Sequence, residues 1–191
     1  MEEQFIEDQS FKGIDFTSTP LQAGQYEACT FTDCNFLNAD LSRIRCIDCN
    51  FLDCNLSTAK LIETSFQGVT FTACKLLGLR FDTCSTFAFS VRFERCQLQY
   101  AVFYQQNLSK TVFEDCELQD VDFTACNLQA ASFSHCNLHR AVFEDTNLKQ
   151  SDFRGAINFT INPERNTMTR AKFNAASLSG LLTKYQLIID E

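Results

Sequence analysis

Cysteine is the residue type in this chain whose spacing first suggests chemistry. The chain has eleven cysteines, and the pairs Cys29/Cys34 and Cys49/Cys54 both keep a five-residue step. Converging thiolates of this kind can hold zinc in a tetrahedral site. The competing interpretation is that each thiol is a compact apolar side chain in a packed core, where burial makes it inert.

Two histidines, His135 and His139, flank Cys136 and raise the same question. The five-residue pattern described next puts both imidazoles outside and the thiol inside, so we expect a surface pair and no metal or cofactor. Walker, Rossmann and nucleophile-elbow motifs are absent, and the six glycines are scattered singly. We therefore expect a protein that is not an enzyme.

A large apolar residue recurs at every fifth position along most of the chain. The series runs from Ile6 to Phe81, slips by two residues, and resumes from Phe93 to Phe153. A period of five fits neither an amphipathic helix nor a strand. Two places before each large residue there is mostly a small one, and the other positions are mostly polar, as in "ADLSR" and "CNLST". The pattern predicts a solenoid with a narrow interior.

Equal residue types recur every 20 residues, which predicts four five-residue units per coil. The two-residue slip within 85–91, "STFAFSV", reads as a small insertion, because the columns continue after it. At about 4.8 Å per coil, roughly seven coils would give a rod about 35 Å long. The predicted inward columns are Phe31, Phe51, Phe71, Phe93, Phe113, Phe133 and Phe153, and Cys34, Cys54, Cys74, Cys96, Cys116 and Cys136.

The units "ADLSR", "CNLST" and "VDFTA" resemble the A(D/N)LXX pattern of the pentapeptide-repeat family over about residues 4–155. The resemblance implies an all-β solenoid, a right-handed quadrilateral β-helix with one unit on each side. We assign residues 1–172 to this β-helix, with its register slip near 85–91. Residues 173–191 form a separate C-terminal segment in this prediction.

That segment is predicted to begin with a short helix capped by Asn174 and to end with the strand "QLIID". This arrangement is similar to the end of the topoisomerase-protection branch of the family, the Qnr, MfpA and McbG proteins, where it joins two rods end to end. The resemblance therefore implies a cap and a homodimer. The dimer candidates are Leu178, Leu181, Leu182, Tyr185, Leu187, Ile188 and Ile189.

Charge indicates the kind of partner. The chain has 24 acidic and 16 basic residues and a net charge of −8, which argues against direct binding to nucleic acid or to an anionic membrane and favours a basic partner. The acidic start "MEEQFIEDQS" does not resemble a signal peptide, and no apolar run reaches the roughly 18 residues of a membrane span. We expect a cytoplasmic protein.

The resemblance also implies a function. Relatives of the topoisomerase-protection branch mimic DNA, bind DNA gyrase or topoisomerase IV, and protect it from poisons. Carried over, Glu94, Glu114 and Asp115 are the candidate mimicking charges. Two alternatives stay open: the two-residue slip replaces the protruding loops of Qnr proteins, which leaves a quinolone or a natural toxin as the poison, and the rod may instead be a non-catalytic scaffold or adaptor with an unknown partner.

Overall fold

A computed structural model describes residues 4–188 of the chain. All the strands are short, run parallel and belong to two sheets, so the predicted all-β solenoid is confirmed. Strand pairs lie 20 residues apart in sequence, as Phe31 and Phe51 do, which means that four five-residue units complete one coil. Parallel pairing needs this return path because each strand pairs with its counterpart in the next coil.

One side of the rod is a four-stranded sheet in the order β1-β3-β5-β7. Its strands are β1 (Gln4–Glu7), β3 (Gly24–Glu27), β5 (Arg45–Ile47) and β7 (Ser65–Gln67).

The next side is a seven-stranded sheet in the order β11-β10-β9-β8-β6-β4-β2. Its strands are β2 (Ser10–Lys12), β4 (Thr30–Thr32), β6 (Asn50–Leu52), β8 (Val69–Thr72), β9 (Val91–Glu94), β10 (Val112–Glu114) and β11 (Ser132–Ser134). The other two sides are joined by single parallel bridges, such as Asn35 with Asn55 and Val102 with Asp122.

The two-residue slip is an insertion on the four-stranded side, directly after β7. Val69 pairs with Val91, a step of 22 residues instead of 20. Phe89 is buried beside Phe81, with ring centroids 6.4 Å apart, whereas Phe87 is 76% exposed. The four-stranded sheet ends at this insertion, but the seven-stranded sheet continues past it.

Stacked phenylalanines form the centre of the rod. Phe113 stacks on Phe93 with ring centroids 5.2 Å apart and on Phe133 at 5.1 Å. The same column begins with Phe11 and reaches Phe173, which stacks on Phe153 at 5.0 Å. Offset or parallel stacking at this spacing is favourable beyond the burial of area alone. The column therefore ties successive coils together from inside.

The six-cysteine series forms a second inward column. All eleven cysteines of the chain are free and buried. The thiols donate hydrogen bonds to phenylalanine carbonyls one coil earlier, for example Cys54 Sγ to Phe31 O at 3.4 Å and Cys74 Sγ to Phe51 O at 3.3 Å. A buried donor needs such an acceptor. These cysteines act as small core residues whose polar atom is satisfied.

The corners between sides require a left-handed backbone. Residues two places after each large residue have φ near +50° to +63°, and most are not glycine; examples are Asp53, Thr58 and Arg140. This conformation costs an ordinary residue about 1–2 kcal/mol. Pairing with the coils above and below holds each corner in place, so the scarcity of glycine does not prevent the turns.

The C-terminal segment differs from the prediction in two details. It contains the 3₁₀ helices Ala175–Leu181 and Thr183–Tyr185; Asn174 precedes the first helix, but its side chain makes no capping hydrogen bond. Instead, the Ser177 amide and hydroxyl donate to the Asn174 carbonyl oxygen.

The predicted last strand does not form over its described part. Gln186 has φ of +50° and ends the second helix, and Leu187 and Ile188 have no strand pairing. The physical reason is that no neighbouring strand lies alongside them among the described residues. Ile189 and the rest of "QLIID" lie outside the described residues.

Candidate functional site

The outer surface of the rod is the candidate site, because the interior is filled by the chain's own side chains. Over residues 4–188, no group of three or more His, Cys, Asp or Glu side chains could hold a metal ion. In the same part of the chain, no helix is long and apolar enough to cross a membrane.

The three predicted mimicking charges lie close together on or beside the seven-stranded side. Glu94 and Glu114 are direct neighbours in register on β9 and β10. Arg92 binds both, with Nε 2.5 Å from Glu94 Oε1 and Nη2 3.3 Å from Glu114 Oε2. Asp115 is at the next corner, with Oδ1 3.4 Å from His135 Nδ1. Each of the three carboxylates therefore has a neighbour that is cationic or can become so.

Charge is distributed unequally along the rod. The N-terminal half, residues 4–90, has ten acidic and six basic residues, whereas the C-terminal half, residues 91–188, has ten of each. The net negative charge of the described chain therefore lies entirely in its N-terminal half.

Ion pairing follows the same division. In the C-terminal half, eight of the ten carboxylates lie within 4 Å of a basic side chain, counting His135 beside Asp115. Only Glu117 and Asp122 form no ion pair with a described residue. In the N-terminal half, only Glu63 and Asp82 are paired. The eight carboxylates there without a described ionic partner are Glu7, Asp8, Asp15, Glu27, Asp33, Asp40, Asp48 and Asp53.

Several of these unpaired carboxylates border the N-terminal end of the seven-stranded side. Asp48 is at the corner before β6, and Asp53 is at the corner after it; Asp33 is the equivalent corner residue after β4. The outward residues between the corners are uncharged near β4 and β6, and include Thr30, Thr32 and Asn50. The result is a flat polar strip with carboxylates along both edges.

Ordinary hydrogen bonds keep some of these carboxylates ionised. Asp15 accepts from the Thr17 hydroxyl and amide at 2.7 and 3.0 Å, which lowers the pKa of Asp15. The hydroxyl and amide of Ser42 likewise lower the pKa of Asp40. Both side chains are therefore charged at neutral pH.

The cysteines and histidines fill the positions expected of them. Burial raises the pKa of the Cys126 thiol to about 12 and raises that of Cys84 further. Such thiols are poor nucleophiles. His135 and His139 are exposed on the surface while Cys136 is fully buried, so the three side chains do not converge.

The dimer candidates occupy the end of the rod and differ in exposure. Leu181 packs against the core, and Leu182 is half-buried. Leu178, Tyr185, Leu187 and Ile188 are exposed, and Ile188 is 94% exposed. The Tyr185 hydroxyl donates to Glu164 Oε1 at 2.9 Å, and Lys184 pairs with the same carboxylate. Ile189 lies outside the described residues.

Sequence reasoning missed the ion pairs, although a signal for them was present. Arg43 and Glu63, Asp120 and Arg140, and Asp145 and Arg165 are each 20 residues apart. That spacing is one coil, so each pair is stacked on the same wall. Opposite charges at the repeat spacing therefore identify neutralised positions.

Solved structures with a similar fold include full-length QnrB1, described as a plasmid-mediated fluoroquinolone resistance protein. It is 18% identical, with a TM-score of 0.39, over 95% of this chain and 99% of that one. HetL, a pentapeptide repeat protein involved in heterocyst differentiation regulation from the cyanobacterium Nostoc, is 16% identical, with a TM-score of 0.34, over 88% and 86% of the two chains. A pentapeptide repeat protein from the Arabidopsis thaliana thylakoid lumen is 20% identical, with a TM-score of 0.27, over 80% and 66%.

At these identities the likeness concerns the fold alone. No curated protein sequence matches the chain. The family model described as "Pentapeptide repeat region" matches residues 25–103 and 88–182, which together span most of the sequence. With its four-unit coils and stacked inward columns, the chain belongs to the pentapeptide-repeat family.

Proposed function

We propose that this protein binds DNA gyrase or topoisomerase IV as a DNA mimic and protects the enzyme from a poison, either a quinolone or a natural toxin. The observation that carries the proposal is the regular row of unpaired carboxylates along a stiff rod. Stacked coils repeat charge at about 4.8 Å, and duplex DNA has one charge per about 1.7 Å of axis. A basic surface built to hold DNA attracts such a rod.

The electrostatic argument divides the acidic residues into two sets. Asp33, Asp48 and Asp53 have no ion pair within the described chain, so their charge reaches a partner at full strength. Glu94 and Glu114 share Arg92, and Asp115 faces His135, which reduces the field of these three residues. Steering by charge acts on the rate of association and weakens with salt. We expect the N-terminal set to contribute more to it.

Two matched variants separate these contributions, and each removes three negative charges. One has Asp33→Asn, Asp48→Asn and Asp53→Asn; the other has Glu94→Gln, Glu114→Gln and Asp115→Asn. Asparagine tolerates the left-handed corners, so folding should be preserved. Both are added at increasing concentration to gyrase and to topoisomerase IV, and supercoiling or decatenation is scored together with poison-stabilised DNA cleavage.

The wild-type protein should reduce poison-stabilised cleavage. The N-terminal variant should need at least about tenfold more protein for the same effect, equivalent to about 1.4 kcal/mol of binding free energy. The second variant should show a smaller shift. The proposal fails if neither enzyme binds the wild-type protein and cleavage is unchanged with several poisons.

A second candidate function, a non-catalytic scaffold or adaptor, is favoured by the C-terminal half. Eight of its ten carboxylates are paired, which is typical of a solvated wall with little net field. A scaffold should tolerate both triple variants and leave both topoisomerases unaffected. Its partner would then be sought by pull-down with the wild-type rod.

A further inference from the structure

The first coil of the solenoid exposes side chains that later coils bury. Phe5 is 58% exposed, and Ile6, Phe11, Ile14 and Leu21 are partly exposed. Their counterparts one coil later are at most 3% exposed: Tyr26, Phe31, Cys34 and Leu41. The C-terminal end differs, because Leu181 of the first 3₁₀ helix packs there against the core. Among residues 4–188, no element covers the first coil.

The same edge has unused backbone hydrogen-bonding groups. In the second coil, the Thr30 and Asn35 amides donate to carbonyls of the first coil, at 2.9 Å each. By the repeat, the Ser10 and Asp15 amides point away from the second coil. Likewise, the Thr32 and Glu27 carbonyls accept from first-coil amides, so those of Lys12 and Glu7 point outwards. No described residue pairs with these four groups. An edge of this kind can accept an additional strand.

The charge around the edge selects its occupant. Glu7, Asp8 and Asp15 lie at this end without an ionic partner among the described residues, and Lys12 is the one basic side chain on β1 or β2. A second copy pairing edge to edge would bring these carboxylates against their own copies, which is unfavourable. A basic segment meets opposite charge instead.

We propose that the edge formed by β1 and β2 binds an extended, basic polypeptide segment that adds a strand to the first coil. Backbone hydrogen bonds to the groups at Glu7, Ser10 and Lys12 would supply affinity. Apolar side chains on alternate positions of the segment would cover the exposed inward residues of the first coil, while lysine or arginine side chains face Glu7 and Asp8. This surface is separate from the strip bordered by Asp33, Asp48 and Asp53.

The test uses the full-length protein and labelled synthetic peptides of eight residues that alternate lysine and valine. One matched peptide has glutamate in place of lysine, and another is N-methylated at alternate amides so that it keeps its charge but cannot pair as a strand. Binding is measured by fluorescence anisotropy at low and moderate salt. The protein variants are Glu7→Gln with Asp8→Asn, and the control Glu117→Gln with Asp122→Asn.

The lysine peptide should bind one to one, and the glutamate peptide should not bind. N-methylation and the Glu7/Asp8 variant should each weaken binding at least about tenfold, while the control variant, which loses two carboxylates that are also unpaired, should match the wild type. Equal binding of the N-methylated peptide would reduce the interaction to charge attraction and overturn the proposal. No binding, or equal loss in the control, would also overturn it.

Self-association supplies a further check by sedimentation. If the protein forms a dimer that dissociates on Phe5→Asp but persists with changes at Leu182 and Ile188, a second copy occupies this edge. That outcome overturns the proposal of a basic segment. Because none of these measurements involves a topoisomerase, their failure is independent of the proposed function.

Discussion

At the scale of single residues, a position within the five-residue unit decides whether a side chain is tolerated. The large central residue is enclosed by the coils above and below, whereas its immediate neighbours along the strand face outwards. Phe113 is fully buried between Phe93 and Phe133, but Gln129 is exposed. The same substitution should therefore have opposite consequences at these two sites.

Phe113→Asp should unfold the rod. It removes a stacked ring, which costs about 3–5 kcal/mol as a cavity, and it buries a carboxylate with no ionic partner. Total stabilities of about 5–15 kcal/mol leave little margin for both effects. Circular dichroism and thermal unfolding measure the result, and Gln129→Asp is the surface control. A folded Phe113→Asp variant with an unchanged melting temperature would contradict the assigned register.

A second prediction at this scale concerns pH. The hydrogen bonds from Arg154 lower the pKa of Asp152 below its ordinary value of 3.8, and Lys172 adds to the effect. A carboxylate with a lowered folded-state pKa stabilises the protein above its unfolded-state pKa and loses that contribution as the pH falls. Asp152→Asn should therefore lower the melting temperature at pH 7, and the difference from wild type should shrink below about pH 3.8.

The control for that measurement is the double-mutant cycle with Arg154→Gln. In the Arg154→Gln background, Asp152→Asn should cost less at pH 7 because the largest cause of the shift is gone. An equal loss in both backgrounds would show that the pair does not stabilise the fold. Because both side chains are partly exposed, the expected effect is small.

At the scale of elements, the C-terminal segment combines a packed part with an exposed part. Leu181 contacts the core, and Gly180 lies close enough to Phe159 that a β-carbon would be 2.4 Å from its carbonyl oxygen. Leu178, Leu187 and Ile188 remain exposed. The packed part caps the last coil, and the exposed part is the surface that we propose for dimerisation.

Replacing Leu182 and Ile188 by Asp should convert a dimer into a monomer, because charges within an apolar two-fold interface oppose each other and are desolvated. Light scattering coupled to size exclusion measures the mass. Phe87→Asp is the control, since Phe87 is equally apolar and exposed but lies in the insertion. A persistent dimer in the Leu182/Ile188 variant would place the interface elsewhere.

At the scale of the whole molecule, the solenoid makes every cysteine inaccessible at once. All eleven thiols are buried, and burial raises the pKa of Cys126 to about 12. A thiol-specific reagent at pH 8 should therefore label none of them in the folded protein and all eleven in denaturant. Mass spectrometry counts the labels. Rapid labelling of one or two thiols in the native protein would reveal a coil that opens locally.

The sequence by itself determined the solenoid, because a period of five with a 20-residue repeat fits no other regular structure. It placed the stacked phenylalanines and the six-cysteine column, since each inward position depends only on its place in the unit. It also located the insertion within 85–91, because the same columns resume two residues later. Local repetition was sufficient for these features.

Only the tertiary structure decided which charges remain free. A side chain such as Arg92 reaches along its own strand to Glu94 and across to Glu114 in the next coil, and neither contact follows from composition. The C-terminal segment also depended on tertiary contacts: Leu187 and Ile188 have no neighbouring strand among the described residues, so their β-branched and apolar sequence did not produce one. Repeated units specify their own neighbours, whereas long surface side chains and the end of the rod depend on what lies beside them in space.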